Sequence, residues 1–257
     1  KRLSVHLLEP VNDIDTVEDL LAHDPQGDWK NPFVSVIIPV LNEEKRIKKV
    51  IESVKNVDAE IIVVDGGSND RTAEQAERLG VKVVRSPKGR GVQMNAGALG
   101  SSGNNLLFLH ADTILPEKYT HLVFKTLLDI KPVAGAFCFK TDMDNVLMRF
   151  IEYIANLRSR FLNLPYGDQG IFMSRASFER AGGYWEVPVA EDIFFIRNIK
   201  RFAKIKIVPE NAVTSARRWK NSGILKTTFI HLIIMIGCYI GIDPEKLAAI
   251  RQMNEPD

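Results

Sequence analysis

The chain of 257 residues lacks the features of several protein classes. It has only two cysteines, too few for a disulfide framework, and both Cys138 and Cys238 lie in apolar runs that favour buried thiols. This usage predicts a reducing, cytoplasmic location. The 34 Lys and Arg nearly balance the 32 Asp and Glu, so the net charge of +2 does not support nucleic-acid binding. With 45% hydrophobic and 26% charged residues, the composition is that of a globular protein.

Long uncharged apolar runs are also missing. The most apolar stretch, residues 224–242, contains Lys226 and His231. It therefore lacks the roughly 18 or more apolar residues of a membrane span. We predict a C-terminal helical segment at residues 221–257, buried or amphipathic. Peripheral membrane contact through residues 224–242 and a membrane span are the alternatives.

The first 32 residues differ from the rest of the chain. They are acidic and end in a loop-like sequence at residues 24–28. We interpret residues 1–32 as a linker or the tail of a preceding domain, with a short helix over residues 17–23. Because the chain begins with Lys1 and not with Met, we expect it to be part of a longer protein.

Strand-like and helix-like segments then alternate four times. β-branched runs predict strands, and apolar residues at helical spacing lie between them. Alternation of this kind predicts a doubly wound, mostly parallel α/β sheet with helices on both faces. After Pro116 the rhythm is less regular, and we place the domain at residues 33–220. The four predicted strands cover residues 33–39, 60–65, 81–84 and 105–110.

Polar or Gly-rich segments follow each of these strands. The carboxyl ends of parallel strands share one edge of a sheet, so the segments predict a single site for a polar ligand. Asp65 is suited to accept from a base N–H or a ribose hydroxyl, and Gly66 lets a ligand approach. A local turn or helix cap is the alternative. Neither a Walker sequence nor GxGxxG follows the first strand, which disfavours P-loop and Rossmann sites.

Two further strand ends carry charged side chains. Arg90 lies between glycines at a helix start and is suited to a phosphate, or it belongs to a solvated basic turn. His110 and Asp112 follow the fourth strand and are predicted to face the same side, as alternate strand residues do. Asp112 suits Mg²⁺ or Mn²⁺ shared with a diphosphate, and a helix cap is the alternative.

Two segments after the fourth strand carry polar groups for an acceptor. Asp192, beside Glu191 at a helix start, is a candidate general base, and an acidic helix cap is the alternative. The loop at residues 167–170 is suited to a hydroxylated acceptor, or it is simply a tight turn.

Taken in order, these motifs resemble the family-2 glycosyltransferases, which have the GT-A fold. The resemblance runs from residue 34 to about residue 219. Residues 37–43 resemble the opening strand and nucleotide loop, and residues 63–72 (VVDGGSNDRT) resemble the family's VVDDGSxDxT stretch. Gly-Asp-Gln and Gly-Gly-Tyr then precede Glu191 and Asp192, as in many members.

The resemblance implies transfer of a sugar, with inversion, from a nucleotide sugar to a hydroxyl acceptor. We predict a UDP-sugar donor and a small-molecule or lipid-linked acceptor, with Asp112 holding Mg²⁺ or Mn²⁺ and Asp192 as the base. The predicted nucleotide-binding residues are Pro39, Leu41, Glu43, Asp65, Gly66, Arg90 and His110. The predicted acceptor residues are Gly167, Asp168, Gln169, Glu191 and Trp219.

The chain departs from the family pattern at two positions. His110 replaces the first Asp of the family's Asp-x-Asp metal motif. Ser215 replaces the Gln of the Gln-x-x-Arg-Trp motif of processive synthases, so we do not predict a processive polymerase. Segments 89–97, 108–113 and 166–172 resemble the arsenosugar-biosynthesis-type subfamily, in which His-Ala-Asp is usual.

Other interpretations stay open. Residues 1–23 resemble the end of a nucleotidyltransferase-like domain that is paired with this subfamily. A catalytically idle nucleotide-sugar-binding module and a nucleotidyltransferase are the alternative functions. The absence of Gly from residues 40–44 disfavours the nucleotidyltransferase. A homodimer is also left open.

Overall fold

The structure, a computed structural model, describes residues 34–128 and 133–252. The predicted linker, the helix at residues 17–23 and the resemblance at residues 1–23 lie outside the described residues and stay predictions.

Eight strands of the described residues form one sheet in the order β3-β2-β1-β4-β7-β6-β8-β5. Four of the seven strand pairings are parallel, those of β1 with β2 and β4, of β2 with β3, and of β6 with β8. The strands are β1 (Val34–Val40), β2 (Ala59–Asp65), β3 (Lys82–Arg85), β4 (Asn105–Phe108), β5 (Thr113–Ile114), β6 (Val133–Thr141), β7 (Ile171–Ser174) and β8 (Lys204–Thr214).

Helices lie on both faces of this sheet, and a 3₁₀ turn (Gly167–Gln169) precedes β7. In the described part of the chain the helices are α1 (Ile47–Val54), α2 (Thr72–Arg78), α3 (Arg90–Leu99), α4 (Tyr119–Leu127), α5 (Val146–Leu162), α6 (Arg175–Arg180), α7 (Glu191–Ile199), α8 (Arg217–Ser222), α9 (Ile224–Ile240) and α10 (Pro244–Gln252).

The strands divide their side chains between two apolar cores. In β1, Val36 and Ile38 pack with α1 and α4, whereas Ile37 faces α3, α6 and α7. Successive strand residues point to opposite faces, so a β-branched strand that is buried on both sides supplies both cores. The predicted α/β class, with a mostly parallel sheet and helices on both faces, is confirmed.

Several details differ from the sequence prediction. The sequence predicts a strand at residues 204–208, whereas β8 continues to Thr214 and pairs with the unpredicted β5. The predicted C-terminal helical segment forms α9 and α10, and the unpredicted α8 precedes it. Cys138 and Cys238 are buried free thiols, as predicted. None of the helices in residues 34–128 and 133–252 is long and apolar enough to span a bilayer.

Candidate active site

The ends of β1 and β4 open into a cleft of about 1300 Å³, called here the strand-end cleft. Because both strands run parallel, their carboxyl ends meet at one edge, as the sequence predicted. The wall includes six predicted site residues: Pro39, Leu41, Glu43, Arg90, His110 and Asp112.

Asp112 is held at the mouth of this cleft by β8. Its carbonyl accepts from the Ser215 N–H at 3.0 Å, and its Oδ1 lies 3.5 Å from Thr214 Oγ1. His110 and Asp112 were predicted to share one face of a strand. The structure corrects this, because β4 ends at Phe108 and both residues lie in the connection to β5. They nevertheless both line the strand-end cleft.

Arg217 of α8 ties the two strand ends together. Its guanidinium donates two hydrogen bonds to Glu43, at 3.1 and 2.6 Å, and Nη2 lies 3.5 Å from Asp112 Oδ2. Bidentate arginine–carboxylate pairs fix geometry as well as charge. Glu43 therefore lines the cleft with its carboxylate already paired.

A second space of about 860 Å³ lies around Asp192 and is called here the Asp192 pocket. Three side chains predicted to bind the acceptor line it: Asp168, Glu191 and Trp219. Arg90, His110 and Asp112 line both this pocket and the strand-end cleft, so the two spaces adjoin.

Two backbone N–H groups orient the Asp192 carboxylate. Gly167 of the 3₁₀ turn donates to Oδ2 at 2.8 Å, and Ile193 in the first turn of α7 donates to Oδ1 at 2.8 Å. The predicted acceptor loop and the predicted base are thereby joined, although 25 residues separate them in sequence.

Asp192 and Asp168 of the Asp192 pocket have raised pKa values. Burial, followed by the charge of Glu191, raises the pKa of Asp192 to about 6. Burial also raises the pKa of Asp168 to about 7, with Asp192 and Asp112 adding to the effect and Arg158 opposing it. A carboxyl with a pKa near neutrality is suited to receive a proton and release it again.

The imidazole of His110 is neutral. Burial, and then the charges of Arg90, Arg218 and Arg251, place its pKa well below the usual value. Its Nε2 is buried and has no hydrogen-bond partner in the structure. A buried unpaired nitrogen is costly unless a ligand, an ion or ordered water satisfies it, so His110 stays a predicted contact for a bound group.

Arg90 begins α3 and points toward the start of α7. Its Nη1 lies 3.4 Å from Glu191 Oε1. Next to Arg90, Gly91 lets α3 approach the backbone of Trp185, because a Cβ at Gly91 would collide with the Trp185 carbonyl. The Arg90–Glu191 pair places a cation between the strand-end cleft and Asp192.

A methyl group has no room at Gly167. An added Cβ would lie 2.5 Å from His110 Nε2 and 3.6 Å from Asp192 Oδ2. We expect Gly167→Ala to destabilise the fold by roughly 1–3 kcal/mol and to lower sugar transfer, because the imidazole or the turn must move. Chemical denaturation and a transfer assay measure the two effects.

Gly100→Ala is the matched control for this variant. Gly100 lies in helical backbone just after α3, and its added Cβ would meet no atom closer than 3.3 Å. The control is expected to keep wild-type transfer. A Gly167→Ala protein with wild-type stability and transfer would contradict the close packing of His110 against the turn.

Four predicted site residues line neither space: Asp65, Gly66, Gly167 and Gln169. Gly167 nevertheless donates its N–H to Asp192. The Asp65 carboxylate accepts from the Ser68 N–H at 3.1 Å and from its hydroxyl at 2.5 Å. Gly66 packs against Gln93. Gln169 is fully buried and holds the 3₁₀ turn, since its amide donates to the Phe137 carbonyl at 2.8 Å. Their ligand-binding roles stay predictions.

The structure also adds residues that sequence reasoning missed. Tyr166, Arg218 and His231 line the Asp192 pocket, and Arg251 of α10 lines both spaces. Arg218 lies in residues 215–219, the segment that was compared with the synthase motif. The sequence therefore contained a signal for this residue. Nothing in the sequence around Arg251 shows that α10 packs beside the cleft.

The donor set at Asp112 fits an ion that takes most of its ligands from a substrate. Among residues 34–128 and 133–252, no three His, Cys, Asp or Glu side chains lie close enough to hold a metal by themselves. Mg²⁺ bound with a nucleotide needs only one or two carboxylates, because phosphates and water supply the rest. Asp112, together with the unpartnered Nε2 of His110, meets that requirement.

Two curated proteins resemble parts of this chain. A 4,4'-diaponeurosporenoate glycosyltransferase of Staphylococcus haemolyticus is 33% identical over 118 residues, which are 38% of this chain and 32% of that protein. A dolichyl-phosphate beta-glucosyltransferase of Trichomonas vaginalis is 30% identical over 173 residues, 57% of this chain and 52% of that protein. The matched part thus spans between about a third and a half of these relatives.

The fold resembles that of glucosyl-3-phosphoglycerate synthase from Mycobacterium tuberculosis, solved with Mn²⁺, UDP and phosphoglyceric acid. The TM-score is 0.61 over 90% of this chain and 85% of that chain, at 21% identity. The family model described as Glycosyl transferase family 2 matches residues 35–182, more than half of the sequence. The chain therefore belongs to glycosyl transferase family 2.

Proposed function

We propose that this chain transfers a sugar from a UDP-sugar to a hydroxyl acceptor with inversion at the anomeric carbon. One observation carries the proposal: the pocket of a carboxylate with a pKa of about 6 adjoins the strand-end cleft, and both share Arg90, His110 and Asp112. The arsenosugar-type subfamily and the preceding nucleotidyltransferase-like domain stay predictions.

The nucleotide is proposed to lie in the strand-end cleft. Pro39 and Leu41 offer apolar contacts to the base and ribose, while Lys88 and the start of α3 offer positive charge to the diphosphate. Arg218 and Arg251 line the cleft where it meets the Asp192 pocket. The solved relative that binds UDP supports the choice of uridine.

Asp112 is the proposed ligand for Mg²⁺ or Mn²⁺. A divalent ion there supplies positive charge that stabilises the departing diphosphate. The Mn²⁺ in the solved relative supports this assignment. Arg217 holds Asp112 in place while it remains paired with Glu43.

Asp192 is the proposed general base. Its carboxylate takes the proton of the acceptor hydroxyl as the oxygen attacks the anomeric carbon from the face opposite the diphosphate. The bond from the anomeric carbon to the phosphate oxygen breaks, and its electron pair leaves with UDP. The products are the glycosylated acceptor, UDP and the proton first held by Asp192, so atoms and charge balance. The charged Arg90 offsets negative charge near the leaving group.

Calorimetric titration of the chain with UDP and with GDP, each with and without Mn²⁺, tests the donor half of the proposal. We expect UDP to bind more tightly than GDP, and Mn²⁺ to strengthen UDP binding, because Asp112 and the diphosphate share the ion. ATP serves as the control nucleotide. Binding of neither UDP nor GDP would contradict the assignment of the strand-end cleft.

A further inference from the structure

An apolar cavity of about 930 Å³ lies between α5 and α9, beside the Asp192 pocket. We call this space the apolar cavity. The mechanism above uses none of its inner wall, which includes Phe139, Ile151, Ala155, Leu232 and Met235. A concave space of this size with mostly apolar walls, next to the candidate base Asp192, is a candidate binding site for an apolar group.

The apolar cavity adjoins the Asp192 pocket. Tyr166, Asp168, Trp219 and His231 line both spaces. Tyr166, Trp219 and His231 have an apolar body with a polar tip, which suits the junction between a polar head and an apolar chain.

The junction is held in place by specific contacts. The Arg158 guanidinium lies 3.5 Å from the centre of the Tyr166 ring, and the Trp219 indole donates to Thr228 Oγ1 at 3.2 Å. The Trp219 and His231 rings meet edge to face at 5.6 Å between centroids. These contacts fix the side chains that lie where the two spaces adjoin.

At its other end the apolar cavity leads to the protein surface. Ile151, Thr228 and Leu232 line both the cavity and an open groove between α5 and α9. That groove exposes large apolar side chains, among them Phe150 and Phe229, which are 60% and 62% exposed. Contiguous exposed apolar surface of this kind marks a binding site.

From this arrangement we infer that the acceptor is an amphiphile whose alkyl or isoprenoid chain occupies the apolar cavity. Its hydroxyl lies at Asp192, its chain passes Trp219, and the chain end leaves between α5 and α9. The inference rests on the proposed function and specifies the acceptor class for the same reaction. The succession of adjoining spaces from Asp192 past apolar walls to the surface is the observation that favours a substrate chain as the occupant.

The test compares hexyl and octyl β-D-glucoside, monomeric in solution, by calorimetric titration of the chain with UDP and Mn²⁺ present. The two probes share one head group and differ by two methylenes. Each fully buried methylene tightens binding by about fourfold, so we expect octyl glucoside to bind up to about 15-fold more tightly than hexyl glucoside.

Two matched variants of α9 show where the chain binds. Leu232, 44% exposed, borders the apolar cavity, whereas Ile236, 47% exposed and one turn later, lines neither the cavity nor the groove. We expect Leu232→Asp to bring the octyl-to-hexyl affinity ratio close to one and Ile236→Asp to leave it unchanged. Ala155→Leu, which fills the cavity without adding charge, should lower the ratio even if Leu232→Asp fails to fold.

Three results would overturn the inference. A wild-type affinity ratio near one, with UDP still bound, rejects the apolar chain and leaves the proposed function intact. An equal fall of the octyl-to-hexyl affinity ratio in Leu232→Asp and Ile236→Asp indicates that the alkyl chain binds nonspecifically to the protein surface. A dimer that Leu232→Asp dissociates in sedimentation shows that a second copy covers the groove. Loss of UDP binding in the wild-type chain would instead count against the proposed function.

Discussion

Asp192→Asn is expected to lower sugar transfer by about 10²- to 10⁴-fold, the range that a positioned general base contributes. The amide keeps the shape of the side chain, and its oxygen still accepts from the Gly167 or Ile193 N–H. It cannot take the acceptor proton. UDP binding should persist, because the strand-end cleft holds the nucleotide. Transfer assays and UDP titration on the same protein sample separate the two effects.

The pH dependence of the wild-type enzyme gives this prediction a second readout. Because the pKa of Asp192 is raised to about 6, the base is protonated below that pH and ionised above it. Transfer is therefore expected to rise with pH through about 6 and then level off. In Asp192→Asn this acidic limb should disappear from the residual activity.

The control is Asp144→Asn, which removes a carboxylate from an exposed position just before α5. It is expected to keep wild-type transfer and the wild-type pH profile. Asp192→Asn with near-normal transfer would rule out Asp192 as the base. Asp168, whose pKa is raised to about 7, would then be the first carboxyl to test.

Asp112→Ala is expected to abolish the effect of Mn²⁺ on UDP binding. Residues that hydrogen-bond to a metal ligand, without touching the metal, already contribute about 10- to 100-fold to metal affinity. Loss of the proposed carboxylate ligand should cost at least as much of the Mn²⁺-dependent UDP affinity. Transfer should fall in parallel, because less positive charge then stabilises the departing diphosphate.

A metal-free titration sharpens this prediction. Without Mn²⁺, the Asp112 carboxylate repels the negatively charged diphosphate. Arg217 Nη2 lies 3.5 Å from Asp112 Oδ2. In the presence of a chelator that removes divalent ions, Asp112→Ala should therefore bind UDP more tightly than the wild type does. His110→Ala is the companion variant, and it tests whether the imidazole also holds the ion. An Asp112→Ala protein that keeps Mn²⁺-stimulated binding would contradict Asp112 as the ligand.

The sequence was most informative where position along the chain determines position in space. The segments that follow parallel strands lie at one edge of the sheet. Pro39, Leu41, Arg90 and Asp112 could therefore be assigned to one site from the sequence alone. The start of α7 was likewise visible from the acidic pair that contains Asp192.

Local hydrogen bonding limited the prediction for individual residues. Asp65 ends β2 and Gln169 ends the 3₁₀ turn before β7, and polar residues beside strand ends are the pattern expected of ligand-binding groups. In the structure Asp65 bonds to Ser68, and the Gln169 amide supports the 3₁₀ turn. Sequence patterns do not show whether a loop side chain points toward a ligand or back to its own backbone.

Docking of distant helices could not be predicted either. Helical periodicity identifies an apolar face but not the surface that it packs against. Leu247 and Ala248 of α10 pack with Val189 and Ile193 next to Asp192, the proposed base. That packing brings Arg251 to the strand-end cleft, from a segment that we had assigned as separate from the catalytic domain.

The parallel pairing of β6 with β8 has a consequence for the order of folding. Ala134 pairs with Ile205, and Thr141 pairs with Thr214, so the pair encloses the 3₁₀ turn and α7, including Asp192. Contacts between residues so far apart in sequence close a long loop, and such contacts form slowly. The β1–β2 and β2–β3 pairs join residues only about 20 to 25 apart in sequence, such as Val34 with Ala59, and are expected to form first. The β1–β4 pair joins residues as distant as those of β6–β8, for example Val34 with Asn105. Both the strand-end cleft and the Asp192 pocket are therefore expected to close late in folding, after most of the chain has been ordered.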